Sequence, residues 1–135
     1  MIDSRAVISP LAQIAADVEI GDFAILGGLS AVHQFTKVGA YCFIANNAAV
    51  TRDVPPYVMA VGQPAEPHSV NAVGLKRRGF TEEQIRNVRR AYRVLYRSGL
   101  KLAEASAELG RLAPEQPELQ ALVDFLPRVT RSLVR

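Results

Sequence analysis

Among the side chains of this 135-residue sequence that could move a proton or grip an anion, two histidines, one cysteine and a run of arginines stand out. His33 is the one plausible general base in the N-terminal part, since an imidazole exchanges a proton near neutral pH. Residue type alone does not make it catalytic, because a lone histidine is more often structural. His68 has no motif around it. Cys42 has no second cysteine to pair with, so the thiol reads as a small buried hydrophobe. Arg86, Arg89, Arg90, Arg93 and Arg97 fall within a narrow sector of a helical wheel and form a basic stripe. A stripe of this kind is either a solvated face or a docking surface for an acidic protein.

These groups need a frame, and the N-terminal frame is a repeat. Ile2, Ile8, Ile14, Ile20, Leu26, Val32, Val38, Ile44 and Val50 follow one another at intervals of six. Two positions earlier stand Ala6, Ala12, Val18, Ala24, Ser30, Thr36, Cys42 and Ala48, all small or medium. A two-residue offset puts both sets on one face of a strand. The residue after each aliphatic is small in most repeats, as expected where the chain turns a tight corner. A helix cannot produce this pattern, because six residues advance by about 600° and scatter the aliphatics around the cylinder. Hexads of strand and turn can: three make a triangular coil whose aliphatics point inward and stack on the coils above and below. About three coils are predicted, close to the minimum that buries a continuous core. In this frame His33, immediately after an inward aliphatic, projects outward.

The repeat is expected over residues 1–55. Pro55 and Pro56 deny ladder hydrogen bonds, and residues 56–80 read as a connecting segment, irregular through Gly62–Pro67. Residues 81–135 read as a helical domain. Thr81 with Gln84 has the form of a capping box and Ser98-Gly99 a stop, which predicts a helix over about 82–98 with Ile85, Val88, Tyr92 and Leu95 buried. Further helices are predicted near 102–111 and 115–126, with Pro127 starting a last one.

Composition sets outer bounds. At 49% hydrophobic residues the chain supports one modest core with a small appended domain. A net charge of +3 favours an anionic partner but is too small to point to nucleic acid, and no aromatic interleaving suits stacked bases. No apolar stretch near the N-terminus has the length of a signal peptide core or a membrane span, so the expected location is the cytoplasm.

Four segments carry a family resemblance: Asp22-Phe23-Ala24-Ile25-Leu26-Gly27-Gly28, Ala31-Val32-His33-Gln34-Phe35, Asp53-Val54-Pro55-Pro56-Tyr57-Val58 and Gly74-Leu75-Lys76-Arg77-Arg78-Gly79-Phe80. In order and spacing they resemble the C-terminal half of the UDP-N-acetylglucosamine O-acyltransferases of lipid A biosynthesis. The likeness continues through Ala91-Tyr92 and Tyr96-Arg97-Ser98-Gly99 to Thr130-Arg131. It implies a mainly β plus α fold: a short left-handed parallel β-helix of hexapeptide repeats, then a C-terminal α-helical domain. It also implies a cytoplasmic homotrimer that moves a 3-hydroxyacyl chain from acyl carrier protein to the 3-hydroxyl of UDP-N-acetylglucosamine, with no metal or other cofactor.

Mapped onto this sequence, the resemblance makes His33 an active-site residue, Asn71, Arg77 and Arg78 the contacts to the nucleotide-sugar, and Asn46 the end of the acyl groove. The basic stripe from Arg86 to Arg97 becomes the surface for acyl carrier protein. There are departures. Residues 1–17 resemble the family's own N-terminus and lead directly into its late coils, so the middle coils, with the principal catalytic histidine motif, have no counterpart. Asp17 stands where a second active-site histidine is usual, Ala16 replaces a glycine linked to the oxyanion site, and Val73 replaces a glutamate associated with nucleotide-sugar binding. Two other readings stay open: a noncatalytic trimeric scaffold or binding module derived from that enzyme, and a hexapeptide-repeat transferase that uses acyl-coenzyme A.

Overall fold

The computed structural model describes residues 1–130 and 132–135, so Arg131 of the terminal match lies outside the described residues. Eight two-residue strands alternate with turns: β1 (Val7–Ile8), β2 (Gln13–Ile14), β3 (Glu19–Ile20), β4 (Ile25–Leu26), β5 (Ala31–Val32), β6 (Lys37–Val38), β7 (Phe43–Ile44) and β8 (Ala49–Val50). They pair in parallel with the strand three hexads away: Ile8 with Leu26 and Leu26 with Ile44, Ile14 with Val32 and Val32 with Val50, Ile20 with Val38. Three sheets therefore wrap one column, in which Leu26, Val32, Val38, Ile44 and Val50 are each no more than 2% exposed. Burying each such side chain contributes about 1.5–3 kcal/mol. The first coil lacks a neighbour on one side, and Ile2 and Ile8 remain 45% and 38% exposed.

The corners are made differently from expectation. The left-handed backbone conformation falls three residues after each aliphatic from Ile8 to Ile44, at Leu11, Asp17, Phe23, Leu29, Phe35, Tyr41 and Asn47, all with φ between 58° and 64°. The small residue directly after the aliphatic serves another purpose. A Cβ on Gly21 would lie 2.5 Å from the backbone nitrogen of Ala40, and one on Gly39 would lie 2.4 Å from that of Pro56. Close approach of the next coil, rather than the bend, explains small residues there.

The ladder runs on past the two prolines after a single slip. Val54 follows Val50 by four residues instead of six, pairs with Val38 and is fully buried; Ala60 then follows at six and pairs with Ile44. Ala60 belongs to β9 (Val58–Val61), which turns back as the antiparallel β10 (Glu66–Val70). The irregular chain expected at 62–67 is thus the turn and first residues of a hairpin. Pro67 is tolerated because β10 is an edge strand with its register shifted between Pro67 and Ser69.

The helices are α1 (Ala72–Arg77), α2 (Glu82–Tyr96), α3 (Leu102–Leu112) and α4 (Gln120–Phe125). The capping box at α2 is present, with Gln84 N–H donating to Thr81 Oγ1 at 3.1 Å and Thr81 N–H to Gln84 Oε1 at 2.8 Å. Ile85 and Val88 are buried as expected, while Tyr92 and Leu95 are only half-buried and Ala91 and Asn87 take the remaining inner positions. The single helix predicted over 115–126 is instead a 3-10 turn at Pro117–Leu119 followed by α4, and Pro127 lies in a second 3-10 turn, Leu126–Arg128. A proline without an N–H starts a helical turn but cannot sustain one behind it. The chain end then returns to the coils: Asp53 N–H donates to Ser132 O and Val134 N–H to Asp53 O, both at 2.9 Å.

Candidate functional site

One cavity, of about 520 Å3, opens where α1 crosses the face of β4, β7 and β9. Asn71 begins α1 and is 4% exposed; its Oδ1 accepts from Gly74 N–H at 3.2 Å and its Nδ2 donates to Tyr41 O at 3.0 Å. Both ends of that amide are therefore engaged in holding the helix against the coil. Arg77 and Arg78, in the last turn and at the cap of α1, line the cavity with exposed side chains. Val73 also borders it and is 65% exposed.

Aromatic residues that the hexads do not single out organise this cavity. Phe23, Tyr41 and Tyr57 occupy the same left-handed corner in successive coils and stack, with ring centres 5.3 and 5.8 Å apart. Phe80, just after α1, meets Tyr41 edge-on at 5.2 Å. The Arg78 guanidinium lies 4.3 Å from the centre of the Phe23 ring, and that of Arg5 lies 4.9 Å from it. Arg5 also forms an ion pair with Asp22, whose carboxyl is pushed up by burial and by the neighbouring Asp3, against the pull of Arg5. Tyr57 is buried, its hydroxyl donates to Glu118 O at 2.6 Å, and its acidity is suppressed chiefly by desolvation. The eighteen-residue step from Phe23 to Tyr41 was the available signal for part of this ladder, while the slip at Val54 takes Tyr57 off the period.

His33 lies elsewhere. It follows β5, is exposed, and lines a separate cavity of about 500 Å3 with Gln13, Gln34 and Thr51. Within one chain it is not brought together with Asn71, Arg77 and Arg78. Asn46 lies at the corner between β7 and β8, its Oδ1 2.5 Å from where a Cβ on Gly27 would be, and borders neither cavity. Ala16 and Asp17 are exposed at the corner after β2.

Arg86, Arg89, Arg90, Arg93 and Arg97 are all exposed along α2. Cys42 is fully buried; its Sγ donates to Pro55 O at 2.9 Å, and burial pushes the thiol up to about 12. Among the described residues no cluster of His, Cys, Asp and Glu could hold a metal, and no helix is long and apolar enough to cross a membrane.

Comparison with known proteins bears on the family and the fold. Residues 53–134 match the family profile described as UDP-N-acetylglucosamine O-acyltransferase, domain 2. Over its full length the chain is 47% identical to 52% of the acyl-(acyl-carrier-protein)–UDP-N-acetylglucosamine O-acyltransferase of Thiobacillus denitrificans. The UDP-N-acetylglucosamine O-acyltransferase of Moraxella catarrhalis superposes on 97% of the chain with a TM-score of 0.94 at 37% identity, over 51% of its own length. That of Francisella novicida superposes on 98% with the same score at 39% identity, over 49% of its length. The short left-handed β-helix followed by helices is accordingly the fold of this chain, which spans about half the length of the relatives it matches.

Proposed function

Since the chain belongs to the UDP-N-acetylglucosamine O-acyltransferase family, we propose that it serves acyl transfer in the first step of lipid A biosynthesis. In this reading a 3-hydroxyacyl chain passes from acyl carrier protein to the 3-hydroxyl of UDP-N-acetylglucosamine, in the cytoplasm. The observation that carries it is the cavity at α1, where two arginines stand over an aromatic floor. Guanidinium groups match the paired oxygens of a diphosphate, and Phe23 holds one of them at the rim.

His33 is proposed as the base. It would take the proton of the sugar hydroxyl as that oxygen attacks the thioester carbon, and the thiolate would leave on the carrier. Because His33 and the arginine cavity lie on different sides of the coil, the reading requires a homotrimer in which the histidine of one subunit faces the arginines of the next. Asn46, larger than glycine, would shorten the acyl groove, and the five arginines of α2 would receive the acidic carrier. Asn71 would contribute by seating α1.

The test is transfer of a 3-hydroxyacyl group from acyl carrier protein by the purified chain, repeated with His33→Ala. Turnover abolished by the substitution supports the reading. The second reading, a noncatalytic trimeric scaffold, is favoured by one observation: the sequence has only His33 and His68, and neither stands in the family's principal histidine motif. Saturable binding of UDP-N-acetylglucosamine without turnover would select it.

A further inference from the structure

The basic stripe on α2 is not uniform. Three of its members, Arg89, Arg93 and Arg97, line with His68, Ser69, Val70 and Tyr92 an open cavity of about 250 Å3 between the helix and the edge strand β10. Arg86 and Arg90 lie outside it. We infer that this cavity is a binding site for a phosphoryl group, separate from the arginine cavity at α1 and valid for either reading of the chain's function.

Three features of the structure support the site. Residues 89, 93 and 97 succeed one another at four-residue steps, so their guanidiniums project along one line of the helix, and like charges at that spacing oppose helix formation. No described carboxylate lies within ion-pair distance of any of the three. A bound anion offsets that repulsion. The second feature is the strand facing them. The pairing of β10 with β9 shifts between Pro67 and Ser69, which leaves His68 without a partner across the ladder, and such a bulge re-aims a side chain. The result sets an imidazole and a hydroxyl across from the arginines, and all polar side chains lining the space are able to donate hydrogen bonds.

The third feature is the number of donors. A carboxylate has two oxygens and is satisfied by one guanidinium fork, whereas a phosphoryl group offers three outer oxygens to three. The cavity has room for one such group. Its source is either free phosphate or a phosphate ester carried on a larger molecule.

The experiment is a titration of the full chain with sodium phosphate, followed by amide and arginine side-chain NMR, with sodium chloride at matched ionic strength as reference. Phosphopantetheine forms a second arm, so that tighter binding of the ester than of inorganic phosphate identifies a carried group, and the reverse identifies the free ion. The expected result is saturating shifts at Ser69, Tyr92 and Arg93 with phosphate only. Arg93→Gln should weaken binding roughly tenfold, the effect of losing one charge-assisted contact. Arg90→Gln removes the same charge from the same helix and should leave the affinity within twofold. Equal responses to chloride and phosphate, or equal losses from the two substitutions, would overturn the site in favour of a diffuse field.

Discussion

The Asp53 carboxylate accepts the backbone N–H of Lys37 through Oδ1 at 2.8 Å. Its Oδ2 accepts that of Thr130 at 3.2 Å, and the residue is fully buried. One acidic side chain thus ties the coils to the far end of the helical domain. Asp53→Asn keeps the shape but turns one acceptor into a donor facing an N–H. The expected loss is about 1.5–3 kcal/mol, the range for hydrogen bonds to a charged group, measurable as a lower urea midpoint with an unchanged slope. A midpoint equal to that of the parent protein would show that the tie contributes nothing.

Leu29 is 57% exposed and holds φ at 60°, a conformation that costs a branched side chain energy and that asparagine adopts more readily. Leu29→Asn should raise stability by roughly 0.5–1 kcal/mol, read as an increase of a few degrees in Tm. A decrease would mean that Leu29 is covered by another molecule in solution.

Burial raises the Cys42 thiol to about 12 in the folded protein, from 9.0 for an ordinary thiol. Since the folded-state value lies above the unfolded one, the stabilisation is fully present below pH 9 and is lost as pH rises toward 12. Urea unfolding at pH 8 and pH 10.5 should therefore show a larger decline for the parent protein than for Cys42→Ala, and Ellman's reagent should react only after unfolding. Rapid labelling at pH 8 in the native state would contradict the burial.

Phe23→Leu keeps an apolar side chain beneath Arg78 but removes the ring face. If that face holds the guanidinium in place, UDP affinity measured by calorimetry should fall about two- to fivefold, the worth of an exposed cation–π contact. Unchanged affinity would show that Arg78 finds its position without the ring.

The hexads were legible because every inward position from Ile20 to Val50 obeys them, and burial enforces that spacing directly. The slip at Val54 was not, because a four-residue step beside two prolines looks the same as the end of a repeat. The hairpin was hidden for a related reason: Pro64 and Pro67 read as breakers, yet Pro64 falls in the turn and Pro67 on an edge strand beside a shift of register, where a proline is tolerated. Of the candidate site, the outward placement of His33 followed from its neighbour Val32. The aromatic floor did not, because Phe23, Tyr41 and Tyr57 adopt a backbone conformation usually left to glycine and asparagine, and their stacking emerges only once coils are superposed. Handedness is invisible to spacing and came from the family.

The two ends of the column are unlike. At one, β1 and the first coil leave Ile2 and Ile8 half open; at the other, β10, the 62–65 turn and residues 132–134 close the three sides in turn. A stack of identical rungs open above and below is a seed for endless fibres, growing head to tail at whatever rate monomers arrive. Here the closing end presents β10, an edge that carries Pro67 and a shifted register and has α2 packed against it, which makes it a poor template for a further rung.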